Sequence, residues 1–144
     1  MGRKPRGFTL VEIVMALALA GLFIYGGAYT FQRLVPKFQL QSGIWEVTSG
    51  LNQARFRAIM SGAPVRVCFA PSGFAFERYD EAAKIWRPAR TVSLPGVAVR
   101  ANNSPVFHPQ GTVSGLASIT VSNARGTYRI TVAITGRVRT TRVG

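Results

Sequence analysis

The stretch Gly7-Phe8-Thr9-Leu10-Val11-Glu12 joins a basic leader to a long apolar run. Residues 1–7 hold Arg3, Lys4 and Arg6, and from Phe8 to Phe31 the only charged side chain is Glu12. As a helix, residues 8–31 would extend about 36 Å, enough to cross a hydrocarbon core of about 30 Å. Positive charge before the span predicts a cytoplasmic N-terminus and an exported remainder. A cleaved secretory signal is the competing reading, since Ala16-Leu17-Ala18 has the small-x-small pattern. A carboxylate five residues into the apolar region argues against it, as does the apolarity continuing beyond Ala20. A plain membrane anchor leaves Glu12 unexplained, because a charge at that depth costs a few kcal/mol (~3) unless it has a partner.

Those six residues behind a basic leader resemble the type III signal of type IV pilins and secretion pseudopilins. The resemblance implies that a prepilin peptidase cuts between Gly7 and Phe8, that the amine of Phe8 is methylated, and that Glu12 pairs with a neighbouring subunit's N-terminal amine during assembly. The physics is compatible: a lone carboxylate in an apolar helix is best neutralised by an ammonium on the next helix.

Beyond the span, Ile44, Val47, Leu51, Ala54 and Ala58 recur at spacings of three and four. They predict an apolar stripe on a helix from about Gln39 to Met60, set off from the membrane half by Pro36 and stopped by Ser61-Gly62-Ala63-Pro64. After Pro64 the pattern changes to short strands. Val65–Ala70 and Phe74–Tyr79 flank Pro71-Ser72-Gly73 as a hairpin. Ile85–Arg87, Thr91–Leu94 and Val97–Arg100 are short extended candidates, separated by Pro88 and by Pro95-Gly96. Ser118–Ser122 and Tyr128–Ile134 are the clearest strands, with Ile130, Val132 and Ile134 on one face. The expected architecture is α+β, a long N-terminal helix packed on a small, mostly antiparallel sheet. Its divisions are leader 1–7, membrane and filament-core helix 8–31, amphipathic continuation 32–62 and β-rich head 63–144.

Chemistry is thinly supplied. The chain has one His, one Cys and five carboxylates in 144 residues. Catalysis needs convergent acids, bases, nucleophiles or ligands, and His108 has no second histidine or ligating cysteine beside it in sequence. No cofactor, metal site or catalytic residue is expected. Cys68 reads as a small buried apolar residue that cannot form a disulfide within the chain.

Charge is more informative. Lys+Arg number 18 against 5 Asp+Glu, and no acidic residue follows Glu81. A field of one sign attracts polyanions. At the end of the chain, Arg137 and Arg139 would share one side of an extended segment about 6.6 Å apart. Their planar guanidinium groups suit phosphate oxygens. Gly136 would allow close backbone approach, and Arg125, Arg129 and Arg142 could widen the patch. Such contacts position a nucleic acid without reading its sequence.

Leu51-Asn52-Gln53-Ala54-Arg55 through Ala58-Ile59, Phe107-His108-Pro109-Gln110-Gly111 and Gly136-Arg137-Val138-Arg139 narrow the resemblance to the pseudopilin H/FimT-like minor pilins. It implies a non-enzymatic filament subunit of the inner membrane, with other pilin or pseudopilin subunits and prepilin peptidase as partners. In FimT-like members a Gly-Arg-x-Arg tail binds DNA during uptake. The alternative it leaves open is a type II secretion pseudopilin, acting in protein export without DNA.

Overall fold

The computed structural model describes residues 8–144, so Gly7 and the leader arginines lie outside the described residues. Helix α1 runs from Leu10 to Ser61 with Pro36 inside it. Its start is built from the opening motif. Thr9 stands before the first helical residue, and its Oγ1 accepts a hydrogen bond from the Glu12 backbone N–H at 3.3 Å. Thr9-Leu10-Val11-Glu12 is therefore a Thr-x-x-Glu capping arrangement, which also puts an acidic side chain at the positive end of the helix dipole.

The chain divides into two compact units, one ending at Val35 and one running from Pro36 to Gly144. In the first, α1 is long and apolar enough to cross a membrane. In the second, α1 buries Leu40, Val47, Leu51, Ala54 and Ala58, with Ile44 partly covered. The stripe predicted from spacing is thus the core-facing side. The helix stops at Ser61, as expected from Gly62 and Pro64.

Among the described residues nine strands follow, all paired antiparallel, and they form two sheets rather than one. The five-stranded sheet has the order β3-β2-β1-β5-β6. Its strands are β1 (Val65–Ala70), β2 (Gly73–Asp80), β3 (Ile85–Ser93), β5 (Val106–Phe107) and β6 (Val113–Ser114). The expected break at Pro88 does not occur. β3 is an edge strand, so Pro88 need not donate to a neighbour. The register steps from Phe76↔Arg90 to Glu77↔Pro88, leaving Ala89 as the bulged residue.

The four-stranded sheet has the order β4-β7-β8-β9, with β4 (Ala98–Ala101), β7 (Ser118–Asn123), β8 (Gly126–Val132) and β9 (Val138–Arg142). Val99, Ile119, Val121, Ile130 and Val132 point into the core with Phe76 and Phe107 of the other sheet. Ile134 departs from its expected place. β8 ends at Val132, and Ile134 lies 63% exposed in the turn to β9. That turn is closed by Ala133 N–H donating to Arg137 O and by Gly136 N–H donating to Ala133 O, at 2.9 and 2.8 Å. The tail is therefore a strand, hydrogen-bonded to β8.

Candidate assembly motif and nucleic-acid interface

Phe8 and Glu12 are both exposed at the start of α1, and Gly7 is outside the described residues. Further along, a second apolar set runs down the side of α1 opposite the core: Phe38, Trp45, Phe56 and Met60, each between 62% and 70% exposed. At 100° per residue these positions cluster about half a turn from Val47, Leu51 and Ala58. This outward set is separate from the buried stripe that the three-and-four spacing predicts.

Register decides which arginines can act together. Tyr128 pairs with Arg142, Arg129 with Thr141, Thr131 with Arg139, and Val132 with Val138. Ile130 and Val132 are core residues, so the alternate positions, Arg129 and Thr131, face outward. Arg139, opposite Thr131, shares that outer face, and Arg129 is its diagonal neighbour about 7–8 Å away. Val138 is half-buried between exposed Arg137 and Arg139, which leaves both arginines on the outer side.

Three of the predicted contributors fall elsewhere. Arg142 is opposite Tyr128 and so starts on the other face, with its Nε 3.5 Å from the Gly144 carbonyl. Arg125 lies in the β7–β8 turn, at the far end of a ladder about 20 Å long from Arg137. Gly136 is buried and faces inward; its φ of 76° is the left-handed region that favours glycine. A Cβ there would sit 2.8 Å from Arg55 Nε and 3.0 Å from Gly111 O. Its small size serves the turn and not a ligand.

That contact unites the three segments that carry the narrower resemblance. Arg55 of α1 lies against Gly111 of the β5–β6 hairpin and Gly136 of the β8–β9 turn. Val113 N–H donates to Ile134 O at 2.9 Å, tying the two turns together. His108 is held in the same hairpin, its Nε2 2.8 Å from Ser114 Oγ.

The carboxylates of the head are elsewhere. Glu77 pairs with Arg66, and Asp80 pairs with Arg87, both on the five-stranded sheet. Arg66 also lies over the Trp86 ring at 4.4 Å. The Arg66 hydrogen bonds hold the Glu77 carboxyl below its ordinary range, and burial pushes the Cys68 thiol up. Among the described residues, no three His, Cys, Asp or Glu side chains are placed to hold a metal ion.

Comparison with known proteins agrees with this architecture. The family model described as Type II transport protein GspH matches residues 45–136, more than half of the chain. A model described as the prokaryotic N-terminal methylation motif matches residues 2–24. No curated protein matches significantly. Among solved structures, the minor pseudopilin EpsH of the Vibrio cholerae type II secretion system superimposes with a TM-score of 0.63 at 14% identity, covering 75% of this chain and 96% of that one. The Pseudomonas aeruginosa type IV minor pilin FimU superimposes with a TM-score of 0.55 at 15% identity, covering 70% and 91%. At such identities the likeness concerns the fold, which is that of pilins and pseudopilins. The match over residues 45–136, joined to the N-terminal motif, places this chain in the GspH family of minor pilin and pseudopilin subunits.

Proposed function

We propose that this subunit is processed between Gly7 and Phe8, enters a type IV-type filament through Glu12, and binds DNA through its C-terminal arginines during DNA uptake. Arg3, Lys4 and Arg6 keep the N-terminus cytoplasmic while the head is exported. Methylated Phe8 becomes the mature terminus, and its amine meets Glu12 of a neighbouring subunit. The exposed Phe38, Trp45, Phe56 and Met60 supply apolar area for packing against other subunits.

The observation that carries the DNA reading is the exposed trio Arg129, Arg137 and Arg139 on one side of a sheet whose strands contain no carboxylate side chain. Phosphate contacts of this kind give sequence-independent binding of about micromolar strength or weaker at physiological salt. The test uses the mature full-length protein in detergent, titrated against two unrelated labelled duplexes. Equal affinity for both, falling steeply with salt, supports the reading. Absence of binding at low salt contradicts it.

A second reading is favoured by the matching family's own description, type II transport. In that reading the subunit belongs to a secretion pseudopilus and works in protein export without DNA. Loss of protein export on deletion, with DNA uptake intact, would select it.

A further inference from the structure

We infer that the phosphate-binding surface is the whole outer face of the four-stranded sheet, and that Arg100 on β4 is one of its contacts. This rests on the DNA reading above and extends it from a tail to a platform. Arg100 pairs with Thr120 on β7, Thr120 with Arg129 on β8, and Arg129 with Thr141 on β9. One row thus crosses all four strands with guanidinium and hydroxyl groups alternating. Arg100 and Arg129 are two strands apart, about 9.6 Å at the usual strand spacing. The next row places Thr131 beside Arg139, and Arg137 follows at its end.

The chemistry of this face selects its partner. Arginine, serine and threonine side chains are the usual donors to phosphate oxygens. Val99, Ile119, Val121, Ile130 and Val132 all turn inward, which leaves the strand positions of the face without a large apolar side chain; the exposed Ile134 and Val143 lie just beyond the ends of β8 and β9. Protein interfaces draw their strength from buried aromatic and aliphatic anchors, and the four strands offer none on this face. Among the described residues, Arg100, Arg129, Arg137 and Arg139 form no ion pair, since the salt bridges of the head use Arg66 and Arg87. A flat, donor-rich, uniformly positive surface fits the backbone of a nucleic acid laid across the strands.

Arg100 and Arg142 separate a platform from a general basic field. Both are exposed arginines of the same sheet, but they start on opposite faces. Full-length Arg100→Ala, Arg100→Lys and Arg142→Ala are titrated with labelled duplex DNA at several salt concentrations. The expected result is that Arg100→Ala flattens the plot of log K against log salt by about 0.9, while Arg142→Ala leaves it unchanged. Arg100→Lys, which keeps the charge, should restore most of the slope. If the wild type binds and Arg100→Ala keeps the full slope, the platform is wrong and the tail alone binds. Equal losses in Arg100→Ala and Arg142→Ala would overturn it too, showing a field without a face. If the wild type does not bind DNA, the underlying function fails with it. Parallel titration with phosphatidylglycerol vesicles completes the test: Arg100-dependent binding to vesicles and not to DNA would assign the face to a lipid surface instead.

Discussion

Arg55 occupies the space that a side chain on Gly136 would need, with its Nε 2.8 Å from the position of the missing Cβ. The helix therefore dictates the residue that opens the arginine strand. An alanine at 136 must also hold a left-handed φ, which costs roughly 1–2 kcal/mol before any clash. Gly136→Ala should lower the melting temperature of the head by several degrees. Circular dichroism on the purified protein checks this, and an unchanged melting temperature would show that the turn tolerates a Cβ.

Processing is tested by mass. The mature protein should begin at Phe8, carry one methyl group on its amine and lack Arg3, Lys4 and Arg6. Its formal charge would then drop from +13 to about +10. Intact-mass spectrometry of native membranes should find this species. A chain beginning after Ala18 or Ala20 would contradict it.

The two duties proposed for Glu12 are separable. Its backbone N–H donates to Thr9 Oγ1 where α1 starts, with the carboxylate near the positive end of the helix dipole, and as an assembly carboxylate it should attract a neighbouring amine. Glu12→Gln keeps a polar side chain at the cap position and removes the charge. Membrane insertion should be unchanged or easier, and incorporation into filaments should fall severalfold or more. Normal incorporation of the variant, measured in sheared filament fractions, would remove the assembly role.

How much could be read from the sequence depended on how local each signal was. The N-terminal motif, the stripe Val47-Leu51-Ala54-Ala58 and the stop before Pro64 are patterns within one element, and the structure contains the corresponding helix. The Thr9 cap is equally local, a Thr-x-x-Glu spacing inside the processing motif itself. Pro88 misled because proline forbids a central strand but not a bulged edge, and edge position depends on which strands pair. β5 and β6 are two residues each, too short to show alternation. Arg100 could have been found from the alternation Val97, Val99 inward and Ala98, Arg100 outward. Its meeting with Arg129 depends on β4-β7-β8 order, which single-strand patterns do not contain.

The Arg66–Glu77 pair gives the head a modest pH dependence. Glu77 is held below its ordinary range by the Arg66 hydrogen bonds, so its contribution is present above the unfolded carboxylate range and lost as pH falls through the folded value. Glu77→Gln should therefore destabilise the head by about 1 kcal/mol or less at pH 7. The gap to wild type should close in strong acid. Thermal midpoints of both proteins at pH 7 and pH 3 measure it, and an equal gap at both values would assign the loss to packing instead.

The proposed DNA binding rests most directly on the arginine pair at the outer face. Arg137 and Arg139 are both exposed, so replacing both with alanine should leave the fold intact. If three to five phosphates are engaged, the wild-type plot of log K against log salt should have a slope of roughly −3 to −4.5 on duplex DNA. In Arg137→Ala plus Arg139→Ala that slope should flatten by about 2, equally for two unrelated sequences. An unchanged slope and affinity in the double variant would contradict DNA binding by this strand and leave protein export as the function.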